Sequence, residues 1–260
     1  MTKSLATPDP WRTLSRFTQA RIGLGRVGSS LPTEPMLSFS MAHAQARDAI
    51  YTAFQSDTLA LALKSAGFSS LQAWSRAKDR SQYLHRPDLG RRLSTDCISK
   101  LQPLSHSAKR LTVVIADGLS SLAATKHALP LLKILKPQLR DWDLDEIILA
   151  RQARVALGDE IGLIREAEAV VILIGERPGL VSIDSLGAYL TYKPYVGRSD
   201  AERNCISNIR TAGLSYEQAA YKLIYLLHEA RLLGATGVHL KDDSDLTRQM
   251  ALDETGTATS

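Results

Sequence analysis

The chain has 260 residues and a net charge of +5, with 44% apolar residues, 23% charged residues and two well-separated cysteines, Cys97 and Cys205. That length supports a core of ordinary size, the cysteines argue against a disulfide framework, and the absence of C-x-x-C and H-E-x-x-H spacings argues against the common zinc sites. No apolar run approaches the roughly 18 residues of a membrane helix, no secretory signal opens the chain, and the bases lack interleaved aromatics, so the expectation is a soluble cytoplasmic protein that engages neither membrane nor nucleic acid.

Residues 10–22 have the spacing of a short amphipathic helix, with Trp11, Leu14, Phe17 and Ile22 near one face. It either packs on its own domain or docks on another chain. The following "GLGRVGSSLPTEP" carries Gly23, Gly25 and Gly28 in a G-x-G-x-x-G pattern. A dinucleotide fingerprint needs a strand before it and a helix at its end, whereas here a helical pattern precedes it and Ser29, Ser30, Pro32 and Pro35 follow, so that reading is rejected. The glycines are better suited to close backbone approach. A helix is expected over 36–54 from Phe39, Ala42, Ala46, Ala49, Ile50 and Ala53, with His43 and Arg47 as a solvated or interfacial pair one turn apart. Two further helices are expected near 57–66 and 70–80. Residues 1–100 therefore read as a helical arm and helices.

The pattern changes near residue 101. Leu111–Ala116 reads as a buried strand ending at Asp117-Gly118, with a long helix after Ser120. The plan repeats with a strand at 146–151, a loop carrying Arg154 and Val155, and a helix starting near Gly158. It repeats again with a strand at 169–174 that ends on Gly175-Glu176-Arg177-Pro178. "GAYLTY" reads as another strand, "GRSDAERNCISNIR" as a polar loop with one thiol, and the last helix opens with Ser215 and Gln218 spaced as a capping box. Strands alternating with helices predict an α/β, Rossmann-like fold with a mainly parallel sheet flanked by helices and a helical N-terminal extension. The α/β unit is expected to span 101–241, and the polar tail of 242–260 to be disordered.

Open α/β sheets bind ligands beyond the carboxyl ends of their strands. Asp117-Gly118, Arg154-Val155 and Glu176-Arg177-Pro178 should lie along that one rim. The residues alone give a rim and no catalytic set: there is no G-x-S-x-G elbow, Cys205 has no histidine partner in sequence, and the six histidines lack metal-ligand spacing. Glu176 and Arg177 read equally as a solvated loop pair.

The blocks "RIGLGRVGSSLPTEPMLSFSMAHAQARDA", "VIADGLSSLA", "ARVALGDEIG", "VVILIGERPGLVSIDSLGAYLTY" and "RNCISNIR…GLSYEQAA" resemble the small subunit, or light chain, of ethanolamine ammonia-lyase, from about residue 11 to 241. The resemblance implies a lyase that converts ethanolamine to acetaldehyde and ammonia by an adenosylcobalamin-dependent radical rearrangement. It further implies a TIM-barrel large subunit that holds the substrate and most catalytic groups, a hexamer of large–small pairs, and association with a bacterial microcompartment. Carried over block by block, the cofactor-binding residues would be Val155, Glu176 and Cys205, with Asp117 and Gly118 as neighbours, and no catalytic residue would come from this chain. The sequence has no D-x-H, so the resemblance implies that the cofactor keeps its own base on cobalt and takes no metal ligand from here. Two rival expectations are a free-standing α/β enzyme using the same rim for a nucleotide or small phosphate, and an assembly or targeting subunit whose residues 1–22 contribute to encapsulation or solubility.

Overall fold

A computed structural model describes residues 6–102 and 106–245; the expected tail lies mostly outside the described residues. The helices are α1 (Thr33–Tyr51), α2 (Ser56–Ser65), α3 (Arg80–His85), α4 (Pro87–Gly90), α5 (Thr95–Ile98), α6 (Ser121–Leu135), α7 (Leu157–Ile164) and α8 (Tyr216–Leu233). The strands are β1 (Ser70–Trp74), β2 (Arg110–Ala116), β3 (Asp143–Leu144), β4 (Ile147–Arg151), β5 (Ala169–Gly175), β6 (Leu186–Tyr192) and β7 (Asn204–Ile209). They form one sheet in the order β1-β4-β2-β5-β6-β7, with the short β3 paired to β2.

β1, β4, β2 and β5 run parallel. β6 is antiparallel to β5, and β7 antiparallel to β6. The sheet is thus mainly parallel, as expected, with an antiparallel margin. The interior strands β2 and β5 are buried along their whole length, which is why they read as unbroken runs of Val, Ile and Leu.

Side chains alternate between two cores. Leu111, Val113 and Ile115 of β2, with Val171 and Leu173 of β5, face α2, α6 and α8. Val114 and Ala116, with Val170, Ile172 and Ile174, face α7 and the segment around Leu93 and Cys97. Each fully buried branched aliphatic removes enough apolar surface to contribute about 1.5–3 kcal/mol. The layering is helix–sheet–helix, but α7 is short. On its side of the sheet α7 reaches only the end of β6, where Asp159 is hydrogen-bonded to the buried Thr191. Among the described residues no helix covers the rest of β6–β7, where Tyr189 is half-buried and Cys205, Ser207 and Asn208 are exposed, while Ile206 and Ile209 point into the α8 core.

Three expectations are corrected. Residues 70–74 are a strand at the sheet edge, not the start of a helix over 70–80. The stretch around Cys205 is the strand β7, not a loop. Residues 10–17 form a 3-10 helix that buries no side chain, in place of an α-helix over 10–22. The capping box at Ser215 and Gln218 is present as read.

Candidate functional site

The carboxyl ends of β2, β4 and β5 meet at one rim. β2 delivers Asp117, whose buried carboxylate accepts the backbone N–H groups of Gln152 at 2.8 Å and Ala153 at 3.0 Å. Arg80 Nη1 lies 3.6 Å from the same carboxylate. Burial pushes the Asp117 carboxyl above the usual range, against those N–H groups and the Arg80 charge. Asp117 therefore ties two strand ends together; it is not presented to a ligand.

Gly118 turns the chain with φ +55, and a Cβ there would lie 2.2 Å from the Gly175 carbonyl oxygen. A Cβ on Gly175 would lie 1.9 Å from the Ser120 carbonyl oxygen. The two glycines let the turns after β2 and β5 pass each other, and no other residue fits either place.

After β4 the loop carries Arg154 and Val155. Arg154 is held at both ends, its N–H donating to the Gly90 carbonyl at 2.9 Å and its Nη2 to the Tyr83 carbonyl at 3.1 Å. Tyr83 is fully buried between two guanidiniums, with Arg154 4.2 Å and Arg80 4.7 Å from its ring centre. Its hydroxyl donates to the Ala153 carbonyl at 3.1 Å. This stack sets the position of Val155.

Glu176 follows β5. Its Oε2 accepts from the Ser185 hydroxyl and from the Asn208 N–H at 3.3 Å, so the carboxylate spans the ends of β5, β6 and β7. Oε1 has no hydrogen-bond donor among the described residues. The connection from Glu176 to Ser185 is held from below: Ser120 donates to the Ile183 carbonyl at 2.8 Å, and Asp184 takes Lys126 at 2.6 Å and the buried His127 at 3.3 Å. His127 also meets the Tyr216 hydroxyl at 2.8 Å.

These pieces enclose an open cleft of about 400 Å³ lined by Tyr83, Gly118, Arg154, Val155, Ile174, Gly175, Glu176, Arg177 and Tyr189. Val155 and Glu176, expected on separate blocks, thus share one cleft with Gly118. Cys205 is not on its wall. It stands opposite Tyr189 in register, in the cross-strand row Ile172–Tyr189–Cys205, and is hydrogen-bonded to the Tyr189 hydroxyl. Although the residue is exposed as a whole, partial desolvation of its sulfur beside Tyr189, reinforced by the Glu176 charge, pushes the Cys205 thiol up against that hydrogen bond, so it stays protonated near neutral pH. Asp117 lies beneath the cleft floor. Sequence reasoning missed Tyr83, on a short helix with no periodicity to read, and Tyr189, whose alternation in "GAYLTY" marked a strand but not an uncovered face.

The arrangement offers apolar contact from Val155 and Ile174, an aromatic wall, and one carboxylate oxygen. It has no nucleophile–base pair. Among the described residues no group of three or more His, Cys, Asp or Glu could hold a metal ion, and no helix is long and apolar enough to cross a membrane.

A sequence model of the family described as ethanolamine ammonia-lyase light chain matches residues 8–241. The chain is 51% identical to the ethanolamine ammonia-lyase small subunit of Azotobacter vinelandii over 95% of its own length and 93% of that protein's. It is 51% identical to the protein of that name from Pseudomonas fluorescens, with 93% and 90% covered. For the one from Pseudomonas aeruginosa the figure is 49%, with 92% and 89% covered.

Proposed function

The chain belongs to the ethanolamine ammonia-lyase light-chain family, the small subunit of a heteromeric carbon–nitrogen lyase, and from that premise we propose that it caps a cobalamin against the large subunit. The observation that carries this reading is the convergence of Val155 and Glu176 on one open strand-edge cleft. Closed pockets of roughly 300–1,000 Å³ enclose ligands of drug size; a corrinoid is far larger, and an open cleft of about 400 Å³ beside a bare stretch of sheet suits one face of it.

The residues fit such a group. Val155 and Ile174 pack against the apolar macrocycle. Glu176 Oε1, without a donor of its own here, accepts an N–H from a peripheral amide. Tyr189 and Cys205 continue the contact across the uncovered face of β6–β7. Adenosylcobalamin, when bound, supplies the radical chemistry through its cobalt–carbon bond; the protein supplies placement and exclusion of water. This chain gives no ligand to cobalt, and the cofactor keeps its own base. As the family resemblance implies, the substrate and the catalytic groups are assigned to a TIM-barrel large subunit, and the open sheet of this chain is the smaller, covering part. We place the pairs in a hexamer and the enzyme in a bacterial microcompartment.

Calorimetry of adenosylcobalamin with the chain alone and with its large subunit tests the reading. Tight binding is expected only in the pair, and Glu176→Ala should weaken it about tenfold to a hundredfold, the value of one hydrogen bond to a charged group. Binding unchanged by that substitution would remove Glu176 from the site. Equally tight binding by the chain alone would remove the interface.

A further inference from the structure

Large apolar side chains are exposed very unevenly. Among the described residues that stand exposed, Trp11 (66%), Phe17 (74%), Leu37 (61%) and Met41 (62%) belong to a single stretch, residues 11–51, that also exposes Leu31, Met36 and Phe39. Scattered exposed apolar residues are ordinary, but a concentration of this kind on one stretch marks an interaction surface.

The stretch is folded, and it is anchored at the rim of the cleft. Thr7 and Arg26 exchange backbone hydrogen bonds at 2.7 and 3.1 Å, closing the arm into a loop. Gly23 crosses it so closely that a Cβ would lie 2.6 Å from Arg12 Cα. The close approach foreseen for these glycines is made within the chain by Gly23 and Gly25, the latter against the Thr7 carbonyl, and not by Gly28. Arg21 donates to the Leu180 carbonyl at 3.2 Å, in the β5–β6 connection that begins at Glu176. At the other end, Arg80 Nε donates to the Ile50 carbonyl at 2.7 Å while its Nη1 donates to the Gly118 carbonyl at 2.8 Å. Only Ala42, Ala46 and Ala49 of α1 are buried, and its first turns meet the arm across a shallow hollow lined by Arg12, Ser15 and Arg21 on one side and Glu34, Pro35 and Ser38 on the other.

We infer that this arm and the outer face of α1 are the docking surface for the large subunit, continuous with the cofactor cleft, so that one partner covers both. The inference rests on the reading of this chain as the subunit of a cobalamin-capping pair. Charge selects the partner over a second copy. Residues 6–51 carry Arg12, Arg16, Arg21, Arg26 and Arg47 against Asp9, Glu34 and Asp48, with the excess of base concentrated on the arm. Two copies meeting through the same patch would set base against base, whereas a different chain can present an acidic rim around its apolar pockets.

The test measures association of the chain with its large subunit by sedimentation velocity in the absence of cobalamin. The variants are the double substitutions Trp11→Asp/Phe17→Asp and Leu37→Asp/Met41→Asp, each at exposed side chains. A third pair, Leu232→Asp/Val238→Asp, changes exposed apolar residues (71% and 72%) far along the chain. Circular dichroism melts confirm that all three fold. Each of the first two should weaken association at least about thirtyfold, as loss of central apolar anchors does, and the third by less than threefold. Unchanged association in the first two, equal loss in all three, or loss confined to self-association of the isolated chain would overturn the inference. Glu176→Ala, which should loosen cobalamin and leave association intact, keeps the two readings apart. Its failure strikes the cofactor site, and the arm variants' failure strikes the docking surface.

Discussion

Gly118 carries more of the site than its size suggests. It stands in left-handed backbone and faces the Gly175 carbonyl at the crossing of two strand ends. Gly118→Ala is expected to destabilise the chain by about 2–5 kcal/mol, from left-handed strain plus forced separation of the two turns. Urea unfolding checks this through a lowered midpoint at unchanged slope. Its role was half legible: Asp117-Gly118 after an apolar run announces a turn, but nothing local announces that a second glycine, 57 positions away, needs the same space. Arg154 and Tyr83 teach the same point. Val155 was named through its block, while the stacked tyrosine beside its loop lies on a six-residue helix with no periodicity to read.

Among the elements, the long ones were readable and the edge ones were not. β2 and β5 are seven-residue strands buried along their whole length, legible as unbroken apolar runs, and α6 and α8 are long enough for a helical period to show in their burial. β1 has five residues, Ser-Leu-Gln-Ala-Trp, too few for alternation and rich in helix formers. It is a strand because the β4 edge offers it hydrogen bonds, a tertiary cause. β7 reads as polar because one of its faces is bare. The connection between β5 and β6 is the element on which Glu176 depends, and it is tied to α6 and α8 through Asp184, His127 and Tyr216. Burial lowers the His127 imidazole below its ordinary value, against the Asp184 carboxylate. A buried imidazole that stays neutral binds fewer protons than it does unfolded. Its contribution is complete above the ordinary imidazole pKa of about 6.5 and is lost as the pH falls below that value. Urea midpoints should therefore drop between pH 7 and pH 5, and His127→Gln should flatten the part of that drop due to the imidazole while lowering stability at pH 7. A variant with the parent's full pH dependence would show that His127 is not its source.

At the scale of the whole molecule, two cores close around one sheet, yet the arm, the cleft and the β6–β7 face stay open on the outside. A partner that binds only the folded chain stabilises it by mass action, by about 2.7 kcal/mol at a hundred times its dissociation constant. The melting temperature of the small subunit should rise with added large subunit, and Trp11→Asp/Phe17→Asp should remove most of the rise. An unshifted melt for the parent chain would mean that the partner does not recognise the folded form. The exposed part of the β6–β7 face has one more implication. Both cores are closed without it, so the chain needs no partner to complete its interior, and what an unpaired copy would offer its neighbours is skin rather than core.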